Sequence, residues 1–390
     1  AGQSSQSKLV VVMLRGAVDG LSVVVPYGDP AYGRNRAEIA IAAPGRSDGA
    51  LPLDTRFGLH PALASMLPLW SADRLAFVHA SGSPDPTRSH FDAQDYLETA
   101  TPGRRSTPDG WMNRLLKVLV DPTADAGRPP VQAVNLGAIM PRILTGPMPV
   151  ASLPAGGADQ QRAGGSPALA QALDRLYADD AITGASWQAM RETRQAMLDA
   201  ASSGMDTGMD PGIARGAIPL AGLSQDAARL GRLMRREPGM RAAFFSVGGW
   251  DTHTNQGGAR GQLATRLQTL AGGLTALAQE LDDRLDDTVV IVMSEFGRTV
   301  RQNGTQGTDH GHGNVMWLMG AGVRGGRVHG EWPGLETNSL HEGRDLAVTT
   351  DFRQVIASVL ERHLRLDDRQ MAYVLPEGPG RSPRPDLLAG

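Results

Sequence analysis

Between Gly304 and Asn314 the chain reads Gly-Thr-Gln-Gly-Thr-Asp-His-Gly-His-Gly-Asn, the densest concentration of metal-binding side chains in the sequence. His310 and His312 stand two residues apart beside Asp309. Neutral imidazoles are the commonest metal ligands, and the surrounding glycines let backbone wrap an ion closely. The bland alternative is a polar loop with solvated histidines. A second pair lies in Gly-Gly-Trp-Asp-Thr-His-Thr-Asn-Gln, where Asp251 and His253 project to the same side of an extended backbone and one ion could take both.

Three further segments carry candidate groups. In Arg15-Gly16-Ala17-Val18-Asp19-Gly20, the flanking glycines let the backbone turn around Asp19, as a ligand or as a turn or N-cap aspartate. Glu295 follows an apolar run, where a carboxylate must be bound to a cation or paired, and Arg298 is the partner within reach. In Ser83-Pro-Asp-Pro-Thr-Arg-Ser-His-Phe-Asp92, Ser89 reads as an N-cap with Asp92 in capping-box position. The same geometry places its hydroxyl at the positive end of a helix, so Ser89 can be cap and nucleophile together. Arg88 could clamp a phosphoryl or sulfuryl oxygen, or pair with Asp85 or Asp92. His60, His79, His329, His341 and His363 lack comparable neighbours and read as structural, with His341 in Leu-His-Glu-Gly-Arg-Asp the one to examine.

The elements that must position these groups alternate in type. Lys8 to Leu14, Leu75 to His79, Val131 to Leu136, Ala242 to Val247, Thr288 to Met293 and Asn314 to Met319 read as strands, several apolar throughout, as in a parallel sheet buried on both faces. Helical patterns fall at Pro61 to Ser71, His90 to Ala100, Gly110 to Leu119, Pro167 to Ala178, Ser186 to Ala201, Gln225 to Arg235, Ala259 to Leu281 and Phe352 to His363. The alternation predicts an α/β fold with a largely parallel central sheet and helices on both faces. Most candidate groups then follow strands, at the carboxyl edge where such sheets gather ligands.

One domain of 390 residues is expected, with an insertion or lid over 156–220 and an extended tail over 376–390. With 38 basic against 41 acidic side chains, no broad field invites nucleic acid or an anionic membrane. Zero cysteines exclude thiolate ligands, disulfides and a cysteine nucleophile. No apolar run is long enough to span a bilayer, and the loop after the first strand, Arg15 to Ser22, carries neither GxGxxG nor GxxxxGK. A chain beginning Ala-Gly-Gln-Ser rather than Met suits a mature protein whose export signal was removed.

In order along the chain, RGAVDGL, PTRSHFDAQD, GGWDTHTNQ, SEFGRT and DHGHGN resemble the exported family called domain of unknown function 1501, which is similar to the alkaline phosphatase and sulfatase superfamily. The resemblance runs from Leu9 to Leu366. It implies an alkaline-phosphatase-like three-layer fold, a periplasmic or secreted setting and export by a twin-arginine signal. Position by position, Asp19 matches the first metal ligand and Ser89 the nucleophile. Asp251 and His253 match the aspartate and histidine pair, and His312 the final histidine. Where the superfamily shows Asp-His after the penultimate strand, this chain has Glu295-Phe296, so either Glu295 replaces the aspartate or the pair has moved to Asp309-His310. Without cysteine or C-x-P-x-R, formylglycine cannot form from cysteine, and a serine or threonine is favoured, with Ser83 and Thr87 beside Ser89.

The joint inventory suits two divalent cations, zinc, manganese or calcium with iron also conceivable, sharing a small-molecule or glycan ester between them. The function expected is hydrolysis or transfer of a phosphate or sulfate ester, with Ser89 attacking and Arg88 or Arg298 steadying equatorial oxygens. A non-catalytic exported binding or accessory protein, or a redox metalloprotein, is the alternative.

Overall fold

The computed structural model describes residues 7–105, 107–120, 131–156, 214–320, 322–376, 378 and 385–389. Nearly all of the segment expected as a lid over 156–220 lies outside the described residues, as do the helices expected at Pro167 to Ala178 and Ser186 to Ala201. Among the described residues nine strands form the main sheet: β1 Lys8–Leu14, β2 Leu75–Gly82, β3 Ala133–Leu136, β4 Ala151–Leu153, β5 Ala242–Val247, β6 Thr288–Ser294, β7 Asn314–Gly320, β8 Arg327–His329 and β9 Thr350–Asp351. Their order is β8-β2-β7-β6-β1-β5-β3-β4, with β9 also on β2. Only β7 runs against its neighbours β2 and β6; every other pairing is parallel.

Six of these strands coincide with the apolar stretches read from the sequence, because a strand covered on both faces draws apolar side chains at consecutive positions rather than at alternate ones. Alternate residues of β1 divide between two cores. Val10, Val12 and Leu14 pack with Leu230 of helix α3 (Leu223–Arg236) and Leu267, Leu270 and Leu274 of α4 (Gln262–Leu281). Leu9, Val11 and Met13 face Leu115 of α2 (Trp111–Leu119) and Val355 and Val359 of α5 (Phe352–Arg362). Helices therefore cover both faces, as expected. The region expected as an extended tail is described only in part, and there Leu387 and Leu388 are buried in the second core while Val323 bridges Leu388.

Two buried histidines fix the ground beneath the site. His60 receives the Ala62 amide on Nδ1 at 3.0 Å and gives Nε2 to the Gly258 carbonyl at 3.1 Å. His79 receives the Ala80 amide at 3.1 Å and gives Nε2 to the Val24 carbonyl at 2.9 Å. A proton added to either Nδ1 would confront an N–H donor. Burial pushes both imidazoles down from 6.5 to about 4. The unfolded chain then binds protons more readily than the folded one between those values, so stability is complete above pH 6.5 and falls as pH drops toward 4. Denaturant titration of metal-free protein at pH 7 and pH 4.5 should show a loss of several kcal/mol, and His79→Asn should flatten that slope.

Candidate metal centre

The carboxyl ends of β1, β2, β5 and β6 and the entry to β7 meet at one edge of the sheet. From β5 the chain passes through Gly248-Gly249-Trp250 to Asp251 and His253. After β2 it runs to Ser89 and into α1 (His90–Thr99), and His310 stands just before β7. Gly16, at φ +112, lets these segments close: a Cβ there would meet the Asp251 amide nitrogen at 2.8 Å.

Four side chains converge. His310 Nε2 lies 3.0 Å from His90 Nε2, 3.0 Å from His253 Nε2 and 3.1 Å from Asp251 Oδ1. His253 Nε2 lies 3.0 Å from the same Asp251 oxygen, and His90 Nε2 lies 3.7 Å from it. Each ring is oriented from behind. His90 Nδ1 gives its proton to Glu295 Oε1 at 2.7 Å, His253 Nδ1 faces Asp309 Oδ1 at 3.1 Å, and His310 Nδ1 donates to the Arg88 carbonyl at 3.0 Å. With every Nδ1 committed to an acceptor, the Nε2 atoms turn toward one another and toward a carboxylate, where a neutral ring would offer its lone pair. Such a set holds together only around positive charge, and oriented imidazoles backed by carboxylates or carbonyls are what metal sites use. The donor chemistry therefore fits a divalent ion on His90, Asp251 and His310, with His253 Nε2 beside Asp251 and His310 as a fourth donor and no sulfur ligand.

The carboxylates that would hold a cation also favour a proton on His90, which a metal ion would displace. Burial pushes the His90 imidazole down, yet hydrogen bonds to Asp251 and Glu295 carry it up to about 9. Burial would raise the Glu295 carboxyl, but His90 and Gln94 hold it at about 2. Asp251, despite its own burial, is held well below the usual carboxylate range by His310, His90 and Arg298.

The expected residues do not all arrive together. Asp251, His253 and His310 meet, whereas Glu295 and Asp309 stand behind His90 and His253 and orient them. Asp19 is elsewhere: its carboxylate is taken by Arg36, by Ser22 Oγ at 2.7 Å and by Gln256 Nε2 at 2.7 Å, all in the interior. A carboxylate so saturated has no lone pair aimed at the imidazoles, which departs from the ligand role expected of it. His312 also departs, its ring stacking on His341 with centroids 4.3 Å apart. Arg298, expected to meet substrate oxygens, is fully enclosed and donates to the carbonyls of Gly16, Ala17, Trp250 and Thr308 and to Asp251 Oδ1 at 2.6 Å. Its guanidinium positions Asp251 instead. Arg88 is held by Asp345 Oδ2 at 2.6 Å and Glu342 Oε2 at 2.7 Å.

Ser89 caps α1 as read, though its Oγ accepts from the Asp92 amide at a long 3.5 Å. Ser83 Oγ accepts from Asp85 and Thr87 Oγ1 from Ser89 within the same loop. The residue that sequence reasoning missed is His90. Its signal was available in the spacing of four linking His90, Gln94 and Glu98, which lines polar groups along one helical face.

Among curated proteins none matches this sequence. In structure the chain is similar to Ps i-CgsB in complex with k-i-k-neocarrahexaose, at 10% identity and a TM-score of 0.39, over 94% of this chain and 74% of that one. It is similar to the C-terminal periplasmic domain of EcEptC from Escherichia coli in complex with Zn, at 8% identity and a TM-score of 0.36, over 82% and 74%. A protein in the alkaline phosphatase superfamily from Vibrio parahaemolyticus is similar at 12% identity and a TM-score of 0.35, over 84% and 63%. The family model described as Protein of unknown function (DUF1501) matches residues 6–375, and the chain belongs to that family.

Proposed function

We propose that this protein is a metal-dependent hydrolase or transferase of phosphate or sulfate esters that takes one divalent ion on His90, Asp251, His253 and His310. The observation that carries the reading is the convergence of three Nε2 atoms on Asp251 Oδ1 with each Nδ1 already committed. A bound ion would supply Lewis-acid polarisation and charge neutralisation.

The chain's own contribution is positioning. Ser89 directly precedes the ligand His90, and the peptide carbonyl before it holds His310, so its hydroxyl is carried by the same backbone that fixes two imidazoles. This favours Ser89 over Ser83 and Thr87 as nucleophile. Its Oγ would bond to phosphorus or sulfur as the alcohol departs with a proton, and water would then release the oxyanion. The start of α1 adds the positive end of a helix for the transferred group. Two ions were expected; with Asp19 engaged by Arg36, the geometry favours one. A periplasmic or secreted setting rests on the family resemblance, and cell fractionation tests it.

Metal analysis combined with a panel of aryl phosphate, phosphodiester and sulfate esters tests the function. One tightly held transition-metal ion per chain is expected, with turnover of at least one ester that falls by about three orders of magnitude in Ser89→Ala while the ion stays. A metal-loaded protein inert toward the whole panel would move the assignment to the binding or accessory role.

A further inference from the structure

Behind His90 runs a buried chain of polar groups that ester chemistry does not by itself require. Glu295 Oε1 accepts from His90 Nδ1 at 2.7 Å, from the Gly16 amide at 2.8 Å and from Gln94 Nε2 at 3.0 Å, while Oε2 accepts from Ser294 Oγ at 3.0 Å. Gln94 Oε1 accepts in turn from Arg15 Nη1. Arg15 is anchored by Glu98 Oε1 at 2.8 Å and Ser246 Oγ at 3.1 Å, and Glu98 Oε2 accepts from the Ile143 amide at 2.9 Å. All of Arg15, Gln94, Glu98 and Glu295 are buried.

The order of donors fixes the chain's direction. Arginine only donates, so the Gln94 amide must turn its oxygen to Arg15 and its NH2 to Glu295. Without Arg15 the amide oxygen loses its cationic donor in a buried position, and with it the anchor that holds the NH2 against the carboxylate. Glu295 would then lose a donor, and the His90 ring the fixed acceptor that aims Nε2 at the centre. We infer that Gln94 and Arg15 are positioning residues for the metal centre, locking Glu295 so that His90 presents its Nε2 toward the ion. For its consequence on affinity the inference rests on the metal reading above; for the orientation of His90 it does not.

Zinc alone is the binding probe, measured by chelator competition on the full chain, and cobalt(II) reports ligand geometry through its visible spectrum. Gln94→Met keeps the volume of the side chain and removes its hydrogen bonds to Glu295 and Arg15. Zinc affinity should fall about tenfold and the cobalt bands should shift. Arg15→Lys, which keeps a charge opposite Glu98 but loses the arm on Gln94, should act in the same direction and carries the test if Gln94→Met does not fold. A folded variant that binds zinc within about twofold of wild type, with an unchanged cobalt spectrum, overturns the inference. The low-field proton of the His90 Nδ1–H, assigned by its loss in His90→Gln, is read in metal-free protein. Its broadening in Gln94→Met supports the inference and its persistence overturns it, even where wild type binds no zinc and the metal reading itself has failed.

Discussion

Replacing His310 by alanine is expected to abolish the metal site, weakening zinc by more than about 100-fold, beyond the loss typical when only the partner of a ligand is removed. His310 Nε2 lies within 3.1 Å of all three other donors, at 3.0 Å, 3.0 Å and 3.1 Å, so its removal leaves His90 and His253 linked through Asp251 Oδ1, at 3.7 Å and 3.0 Å. The ring is partly exposed, with Phe296 as its apolar neighbour at 5.1 Å between centroids, so the fold should survive with its circular dichroism unchanged. Ester turnover, if metal-dependent, should vanish with the ion. His312→Ala supplies the contrast. Its ring lies against His341 and not among the converging donors, so zinc affinity should stay near wild type. Equal losses from both substitutions, measured by the same chelator competition, would mean that His312 joins the centre.

That contrast shows what a sequence can carry. His310 and His312 are chemically equivalent as written, two apart among glycines. Their destinations differ: His310 turns to His90 and His253 while His312 lies against His341, and Gly311 between them is pressed against the Arg298 backbone, where a Cβ would meet the Arg298 carbonyl carbon at 2.4 Å. Asp251 and His253 were legible because extended backbone sends both to one side. His90 was hidden because capping by Ser89 and Asp92 already accounted for its segment, and a satisfactory local explanation conceals a second role. Glu295 had to be paired, as burial demanded, but its partner is His90 at 2.7 Å rather than the nearby Arg298.

The same division holds for the fold. Six strands were readable as continuous apolar runs, since burial on both faces writes itself into every residue. The three-residue strands Ala151–Leu153 and Arg327–His329 were not, because so few residues set no period. The reversed direction of β7 was equally silent, for strand polarity depends on the path of the connections and not on the residues within the strand.

Asp19→Ala is expected to cost about 3–5 kcal/mol of folding stability while leaving the ion in place. The loss arises because Arg36 is as fully enclosed as Asp19, and truncating one partner strands the other charge in the interior. Burial opposes ionisation of Asp19, but Arg36, Ser22 and Gln256 hold its carboxyl below 3.8. Its stabilisation is therefore present above that value and disappears as pH falls through the lower folded one, so the variant should lose part of the acid limb of the stability curve. Replacing both partners, as in Asp19→Leu with Arg36→Met, removes the stranded charge and should recover much of the loss. Denaturant unfolding and metal content, measured on the same samples, separate the two roles open to this aspartate. A folded Asp19→Ala protein that has lost its ion would make Asp19 a ligand, and Arg36 would then have to leave the carboxylate whenever metal enters. An unstable variant that keeps its ion assigns Asp19 to the scaffold, where a guanidinium supplies the positive charge that a second cation was expected to bring.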